Sequence, residues 1–395
     1  MKRFSEWIIT VVFSGGLVLL MAAAILLPKE QYSYYENRNL SDFPVINADT
    51  ILSGQVFDDL ETMFCDYAPG RTLMLKIQTW ADLNLFHRPV VNDVVITENS
   101  LLPYRAPETV DPDAIVTQAE WVAEDNLALQ NLVKSYGGTY CYLAVPCQYA
   151  YYEEEYPWYL NSRGEYTVTE LDALTEAMET RGVHFVDMGP VFQALGHPDT
   201  CSSRVDNHYG LYGAYETYRA AVQAIAAAGG PVLDFPEEGT DIQFTTLPNP
   251  YMGSRTRKLM GLRGNDEHLW MGTFSPDIPF TRRDNGAETA SAVYQLPSDH
   301  ETPLLYSFYM GGDIAETVLS TNRPDKPTGL IFGDSFTNAV ECLAYYSFDE
   351  LRNIDLRHYR NMTLSEYVEQ YQPDVVLCIR DYESLLNRDA NGNLS

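Results

Sequence analysis

Short apolar runs alternate with helical patterns along most of the chain, and this alternation limits the possible folds more than any other feature. The runs have the length of buried strands and cover residues 93–97, 139–145, 183–188, 329–332 and 374–379. Between them, apolar residues recur at spacings of three and four, as in helices, over residues 113–135, 169–180, 211–228, 336–346 and 364–370. Alternating strands and helices predict an α/β fold with a mainly parallel sheet.

Two segments depart from this alternation. Residues 229–327 are rich in Pro, Gly, Thr and aromatic residues, which indicates a β-rich insertion. Residues 31–91 are polar and turn-rich and contain an amphipathic stretch near 51–86, without a clear strand pattern. The expected organisation is therefore an N-terminal segment (1–30), a lead-in segment (31–91) and an α/β domain (92–395) that carries the insertion at about 229–327.

The N-terminus has the pattern of a membrane anchor. Lys2 and Arg3 precede an apolar run over residues 7–27, and a helix needs about 20 such residues to cross a bilayer. Basic residues before the run favour a cytoplasmic N-terminus, with the rest of the chain outside the cytoplasm. We expect an uncleaved signal anchor. A cleaved signal peptide is the alternative, because Ala22-Ala23-Ala24 could form a cleavage site.

The charge balance excludes one class of partner. The chain has 26 Lys and Arg against 55 Asp and Glu, a net charge of −29, whereas nucleic-acid binding needs a basic surface. No nucleic-acid partner is expected, although six basic residues fall between positions 255 and 283. The same charge repels a strongly anionic polymer at long range and favours a neutral ligand.

One strand-to-helix transition carries the strongest signal for chemistry. The apolar residues 330–332 lead into Gly333-Asp334-Ser335, and a helical pattern begins directly afterwards. Ligands of open α/β sheets bind at the carboxyl ends of strands, and the N–H groups at a helix start stabilise an oxyanion. Ser335 is therefore the candidate nucleophile. Alternatively, Asp334 or Ser335 only caps the helix.

A serine nucleophile needs a base, and His208 is the best candidate among seven histidines. Asp206 precedes it by two residues on a predicted loop, so its carboxylate can reach the imidazole and orient it. The rival pair, Asp299 and His300, is adjacent in sequence within the insertion, which suits this geometry less well.

The motifs together resemble the SGNH-hydrolase-like family of the alginate O-acetylation proteins AlgJ and AlgX and the related DHHW proteins. The resemblance rests on Asp206-x-His208, Gly213-Ala214-Tyr215, Gly333-Asp334-Ser335-Phe336, Glu36-Asn37-Arg38-x-Leu40, Pro44, Gly54, Phe57, Asp66, Pro69, Arg71, Asn92-Asp93-Val94-Val95-Ile96, Pro146, Gly311-Gly312-Asp313 and Pro373-Asp374-Val375-Val376-Leu377. It covers nearly the whole chain.

This resemblance implies a three-layer α/β/α fold and an O-acetyltransferase of the bacterial cell membrane, with its catalytic domain outside the cytoplasm. Its substrate would be a cell-surface or exported polysaccharide, and a membrane-bound acyltransferase of the MBOAT type would supply acetyl groups. Ser335 would be the nucleophile, His208 the base and Asp206 its orienter. As in the alginate proteins, the His block precedes the Ser block, the reverse of ordinary SGNH hydrolases.

The sequence departs from the family at two positions of the Asp-His-His-Trp motif, which here reads Asp206-Asn207-His208-Tyr209. Tyr209 would keep an aromatic platform for substrate. The Asn block of standard SGNH enzymes has no clear counterpart, so the second oxyanion donor is open, with Asn338 as a candidate.

Five aromatic residues follow the strand at 139–145 and could line a sugar groove or simply pack together: Tyr149, Tyr151, Tyr152, Trp158 and Tyr159.

Cys147 and Cys201 are both expected near the carboxyl end of the sheet, where a disulfide would hold the His208 loop. Buried free thiols are the alternative. The six cysteines form no CxxC, so no structural zinc site is expected. No cofactor is expected.

Two other functions fit the same residues. A GDSL-type acetylesterase would use the same triad to remove acetyl groups from surface glycans. A non-catalytic scaffold of a polysaccharide export complex would keep the fold and bind glycan through its aromatic residues.

Overall fold

The computed structural model describes residues 2–26, 30–106, 110–160 and 164–387. The chain forms two compact units. The first consists of Met1–Asn92 with Arg257–Arg263, and the second of Asp93–Thr256 with Gly264–Ser395.

The first unit is helical. Its helices are α1 (Lys2–Leu26), α2 (Ala48–Ser53), α3 (Gln55–Asp66) and α4 (Arg71–Asn84), and its short strands are β1 (Tyr32–Ser33), β2 (Arg38–Asn39) and β3 (Val90–Val91). Within the residues described, α1 is the single helix long and apolar enough to cross a membrane, over Trp7–Leu26 with a mean hydropathy of 2.5.

An ion-pair network holds the first unit together and uses residues that carry the family resemblance. Arg38 donates to both carboxylate oxygens of the buried Asp66, at 3.0 and 2.5 Å, and Arg71 Nη2 donates to Glu36 at 2.9 Å. Hydrogen bonds from Arg38 lower the pKa of Asp66 against the opposing effect of burial. Hydrogen bonds from Arg71 lower that of Glu36 to about 2. These motif residues are therefore structural.

The second unit alternates strands and helices. Its helices are α5 (Pro112–Ser135), α6 (Gln148–Tyr151), α7 (Gly164–Arg181), α8 (Met188–Ala194), α9 (Leu211–Ala227), α10 (Ser254–Lys258, which ends within the first unit), α11 (Thr337–Ala344) and α12 (Leu364–Tyr371). Its strands are β4 (Val94–Ile96), β5 (Leu101–Pro103), β6 (Thr139–Val145), β7 (Phe185–Asp187), β8 (Ile242–Thr246), β9 (Trp270–Phe274), β10 (Thr281–Asp284), β11 (Ala287–Thr289), β12 (Glu316–Ser320), β13 (Gly329–Gly333), β14 (Glu350–Asp355) and β15 (Val375–Asp381).

An eight-stranded sheet of order β11-β10-β12-β14-β13-β15-β6-β7 forms the centre of this unit. The five strands from β14 to β7 are parallel, and the other three, which come from the insertion, are antiparallel. The register pairs Gly333 with Ile379 and Ile379 with Leu143, so β13, β15 and β6 end side by side.

Helices cover both faces of the sheet. Tyr140, Tyr142, Phe332 and Cys378 project from one face into a buried cluster with α5, α7 and α12, while α9 and α11 pack on each other and against β6 and β13. Because strand side chains alternate between faces, one strand supplies both layers of the core. This confirms the predicted three-layer α/β/α fold with a mainly parallel sheet.

Two features of the sheet differ from the sequence prediction. The predicted strand at 93–97 forms β4, which pairs with β5 outside the central sheet. Strand β14, which the sequence analysis missed, lies within the sheet between β12 and β13. Its sequence, Glu-Leu-Arg-Asn-Ile-Asp, mixes charged and apolar residues and lacks the continuous apolar run of a buried parallel strand.

Candidate active site

The turn after β13 is built by a close approach of two strands. A Cβ on Gly333 would lie 1.9 Å from the carbonyl oxygen of Ile379 on β15, so only glycine fits. The chain then passes through Asp334 and Ser335 before α11 begins at Thr337. Ser335 therefore stands beyond the carboxyl end of a central strand, as predicted.

Asp334 fixes this turn. Its carboxylate accepts hydrogen bonds from the N–H groups of Phe336 and Asp381, each at 3.0 Å, and from the Ser384 hydroxyl at 2.9 Å. Burial, together with the nearby Asp334 charge, raises the pKa of Asp381. Asp334 thus ties the turn that carries Ser335 to the end of β15.

Three side chains form a continuous line of hydrogen bonds. His208 Nε2 lies 2.7 Å from Ser335 Oγ, and His208 Nδ1 lies 2.6 Å from Asp206 Oδ1. Asp206 is buried, while Ser335 and His208 are partly accessible to solvent. The structure brings together the three residues that the sequence singled out, from two segments 127 residues apart.

Asp206 is held as a carboxylate. Burial alone would raise its pKa, but His208 and two backbone N–H groups outweigh this effect and lower it. The N–H of Ser254 donates to Oδ2 at 2.6 Å, and the N–H of His208 donates to Oδ1 at 3.1 Å. A fixed carboxylate selects the tautomer of His208 with its proton on Nδ1, which leaves Nε2 free to accept a proton from Ser335.

Tyr306 packs flat against the histidine and was missed by the sequence analysis. Its ring lies 3.6 Å from the His208 ring, with 1° between the planes. It is buried, and its hydroxyl has no hydrogen-bond partner among the described residues. Tyr306 lies in the insertion, five residues before Gly311, and no sequence signal separates it from the other 27 tyrosines.

Tyr209 does not offer a platform to substrate, which corrects the prediction. Its side chain is buried, its hydroxyl donates to the carbonyl oxygen of Phe336 at 2.7 Å, and its ring stacks on that of Phe336 with centroids 4.7 Å apart. The ring lies in the core and supports the turn that carries Ser335.

Asn207 presents its amide to the triad. The Asn338 amide donates one hydrogen bond to Asp313 at 3.3 Å, and its role as oxyanion donor stays a prediction. Asn207 Oδ1 accepts a hydrogen bond from the Ser254 hydroxyl at 3.0 Å, which leaves Nδ2 3.4 Å from His208 Nε2. The departure from the Asp-His-His-Trp motif was the available signal for this residue.

The aromatic segment after β6 splits into packed and exposed members. Tyr149 lines a pocket of about 280 Å³, together with Tyr151 and Tyr382. Tyr152 is buried and donates to the carbonyl oxygen of Ser202 at 3.0 Å, so it anchors the loop before His208 and is not available to a glycan, contrary to prediction. Trp158 is 88% exposed.

All six cysteines lie in the described part of the chain, and all are free thiols. The suggested bridge between Cys147 and Cys201 is therefore absent, and burial raises the pKa of both thiols to about 12. Tyrosine hydroxyls hold the His208 loop instead: Tyr151 donates to the carbonyl oxygen of Pro198 at 2.7 Å, as Tyr152 does to Ser202.

One group of potential metal ligands occurs among the described residues, formed by Asp313, Asp355 and His358. Arg357 Nη2 lies 3.1 Å from Asp313 and 2.6 Å from Asp355. Because the Arg357 guanidinium already forms ion pairs with both carboxylates, we assign no metal to this group.

The second unit has helices on both faces of a mainly parallel sheet, a serine after a central strand and a loop-borne Asp-x-His, and solved proteins share this fold. PatB1 from Bacillus cereus, solved with a sulfonyl adduct, has a TM-score of 0.59 and 18% identity, over 74% of this chain and 94% of its own. A DHHW family protein from Eubacterium siraeum has a TM-score of 0.55 and 19% identity, over 77% of this chain and 97% of its own.

The O-acetyltransferase domain of Pseudomonas putida AlgJ matches less well, with a TM-score of 0.43 and 15% identity, over 75% of this chain and 92% of its own. No protein-family model and no curated protein matches the sequence. The matches to PatB1 and to the DHHW family protein confirm the resemblance at the level of the fold.

Proposed function

We propose that this protein is an O-acetyltransferase that acts on a cell-surface or exported polysaccharide through an acetyl-serine intermediate. The observation that carries the proposal is the unbroken hydrogen-bond line from Ser335 through His208 to Asp206, at 2.7 and 2.6 Å. The choice of acetyl group and glycan rests on the resemblance of the motifs to the alginate O-acetylation proteins.

In the first half-reaction, Ser335 Oγ attacks the carbonyl carbon of an acetyl donor while His208 Nε2 takes the hydroxyl proton. The imidazolium is stabilised by the Asp206 carboxylate on its other nitrogen. When the tetrahedral intermediate collapses, the bond to the donor oxygen breaks and His208 returns the proton to that oxygen. Acetyl-Ser335 and the free donor alcohol result.

The proposal assigns two N–H donors to the developing oxyanion. One is the backbone N–H of Ser335, and the other is the Asn207 amide, whose Oδ1 accepts a hydrogen bond from Ser254 and whose Nδ2 lies 3.4 Å from His208 Nε2. Donors fixed before the reaction stabilise the negative charge without reorganisation. We assign the second oxyanion donor to Asn207.

In the second half-reaction, a sugar hydroxyl attacks the acetyl carbon and gives its proton to His208. The intermediate collapses with cleavage of the bond to Ser335 Oγ, which recovers the proton from the imidazolium. Water in place of the sugar gives hydrolysis by the same steps, so the acceptor bound in the site decides between transferase and esterase.

The proposed location follows from α1. A helix of this length and hydropathy, preceded by Lys2 and Arg3, would anchor the chain by a single pass with the second unit outside the cytoplasm. An acetyl donor outside the cytoplasm requires a membrane-bound supplier, for which an MBOAT-type acyltransferase is the proposed partner.

The test is to incubate the full chain in detergent with an activated acetyl ester and to map acetylation by peptide mass spectrometry. Acetyl on Ser335 is expected in the unmodified protein and not in Ser335→Ala or His208→Ala. His300→Ala is the matched control, because His300 belongs to the rival pair and is exposed.

Added oligosaccharide separates the alternatives. Faster loss of acetyl-Ser335 with oligosaccharide than in water supports the transferase, and equally rapid loss in water alone supports the esterase. An unmodified Ser335, with glycan binding retained in Ser335→Ala, would overturn the catalytic proposal in favour of a scaffold.

A further inference from the structure

Helix α4 exposes an apolar face. Leu73, Met74, Ile77 and Trp80 are 63%, 54%, 57% and 52% exposed, and their spacing places them on one side of the helix. The other side packs inward through Thr79, Asp82 and Leu83. Helix α4 thus buries a face that includes polar residues and leaves an apolar one uncovered, the reverse of the usual arrangement in a soluble domain.

The exposed apolar surface extends over the first unit beyond α4. Among the described residues outside α1, its other large, exposed apolar residues are Tyr32, Phe43, Val45, Ile46, Ile51, Leu52, Phe57, Leu85 and Phe86. The described part of the second unit has nine such residues in a far longer stretch of chain: Tyr104, Val116, Trp121, Trp158, Tyr159, Val168, Leu195, Val232 and Leu296. Such a concentration marks a site of protein or membrane interaction.

The two units also differ in net charge. The first unit contains ten basic and ten acidic residues, and the second contains 16 basic and 45 acidic residues. The net charge of −29 therefore resides entirely in the second unit. The first unit carries no net charge that would oppose its approach to an anionic lipid surface.

We propose that the α4 face, formed by Leu73, Met74, Ile77 and Trp80, lies in the outer interface of the lipid bilayer. This inference rests on the proposed anchoring by α1, which belongs to the same compact unit. Amphipathic helices bind a bilayer in its plane with the apolar face buried at the headgroup boundary, and Trp is enriched at that depth.

The bilayer is favoured over a protein partner by proximity. Only 44 residues separate the end of α1 at Leu26 from the start of α4 at Arg71, and both helices belong to one compact unit. An anchored chain therefore tethers α4 to the membrane, whereas a protein partner would have to be recruited.

The test uses spin labels on the full chain in phosphatidylcholine vesicles. The exposed Cys65 is replaced by alanine, and single cysteines are introduced as Leu73→Cys or Ile77→Cys. Thr72→Cys is the matched control, because Thr72 is exposed but lies on the opposite side of α4 from Ile77. Leu19→Cys in α1 provides the standard for a label in lipid.

Power saturation then compares collision of each label with oxygen, which concentrates in lipid, and with a water-soluble nickel chelate. For Leu73→Cys and Ile77→Cys, the ratio of the two collision rates should shift from the value for Thr72→Cys towards that for Leu19→Cys. Ratios equal to that of Thr72→Cys would overturn the proposal. Protection from both reagents would overturn it in favour of a second copy.

Flotation of the same vesicles on a density gradient tests the anchor separately. Protein that does not float refutes anchoring by α1. Protein that floats but shows water-exposed labels at positions 73 and 77 refutes only the proposed docking of α4. The labelled positions lie outside the triad, so Ser335 acetylation should be unchanged.

Discussion

Replacing Gly333 by alanine tests whether the contact between β13 and β15 sets the position of the nucleophile. The added Cβ would lie 1.9 Å from the carbonyl oxygen of Ile379, and contacts under 3.0 Å do not occur for real Cβ atoms. That oxygen belongs to the backbone of a buried parallel strand, so no side-chain rotation relieves the clash. The two strands must move apart by about 1 Å. A displacement of this size in an active site typically lowers the catalytic rate about 100-fold.

The movement also has a cost in stability. Overpacking of a well-packed core destabilises by about 1–3 kcal/mol, so Gly333→Ala should lower both the unfolding temperature and the rate of Ser335 acetylation. Rates are compared per folded molecule, with unfolding followed by fluorescence. The loss of rate should exceed what the loss of folded protein explains, because Ser335 is two residues from the clash.

Gly329→Ala is the matched control on the same strand. A Cβ there would meet the edge of the Phe348 ring at 2.8 Å, at the end of β13 remote from Ser335. This variant should lose stability and keep its rate per folded molecule. A wild-type rate of acetylation in Gly333→Ala would refute the reasoning that the strand contact positions the nucleophile.

Three further results are expected. Tyr306→Leu should slow acetylation of Ser335 roughly 3–30-fold, because the ring that faces the His208 imidazolium is lost. Tyr306→Phe should keep the rate, since the lost hydroxyl has no hydrogen-bond partner among the described residues. The measurement is the pre-steady-state rate of acetylation. Burial raises the pKa of Glu341 to about 8, so the folded state retains a proton that the unfolded state has released. Wild type should therefore lose about 1.4 kcal/mol of stability per pH unit, relative to Glu341→Gln, as pH rises from the unfolded pKa towards 8, as measured by denaturant unfolding. Neutral oligosaccharides should bind more tightly than uronic-acid oligosaccharides in low-salt calorimetry, and salt should reduce the difference; tighter binding of the uronic acid would contradict this expectation.

Ser335, His208 and Asp206 could be predicted from the sequence because each lies in a short segment whose own pattern indicates its structure. A continuous apolar run that ends in Gly333 and becomes a helix indicates a strand end, and a loop with Asp206 two residues before His208 can close a hydrogen bond on itself. Joining the two segments needed only the topology, since chemistry in open α/β sheets gathers at the carboxyl ends of strands.

The surroundings of the triad could not be predicted, because long-range packing selects them. Tyr306 reaches His208 from the insertion, and no local pattern distinguishes it from tyrosines that only pack in the core. Asn338 and Tyr152 have side chains suited to binding substrate and follow strands of the central sheet. Each nevertheless forms a hydrogen bond within the protein, Asn338 to Asp313 and Tyr152 to the carbonyl oxygen of Ser202. Strand β14 was missed because pairing on both sides, and not an apolar run, holds it in the sheet.

The residues that carry the family resemblance belong to two separate groups in the structure. Glu36, Arg38, Asp66 and Arg71 form the ion-pair network of the first unit, whereas Ser335 and its partners form the hydrogen-bond line of the second. The first set would persist in a protein that had lost catalysis and kept its fold. Similarity in the N-terminal motif therefore supports the architecture alone, and the case for a nucleophilic serine depends on the short distances between Ser335, His208 and Asp206. Substitutions at Arg38 should accordingly affect stability of the first unit and leave the chemistry at Ser335 intact.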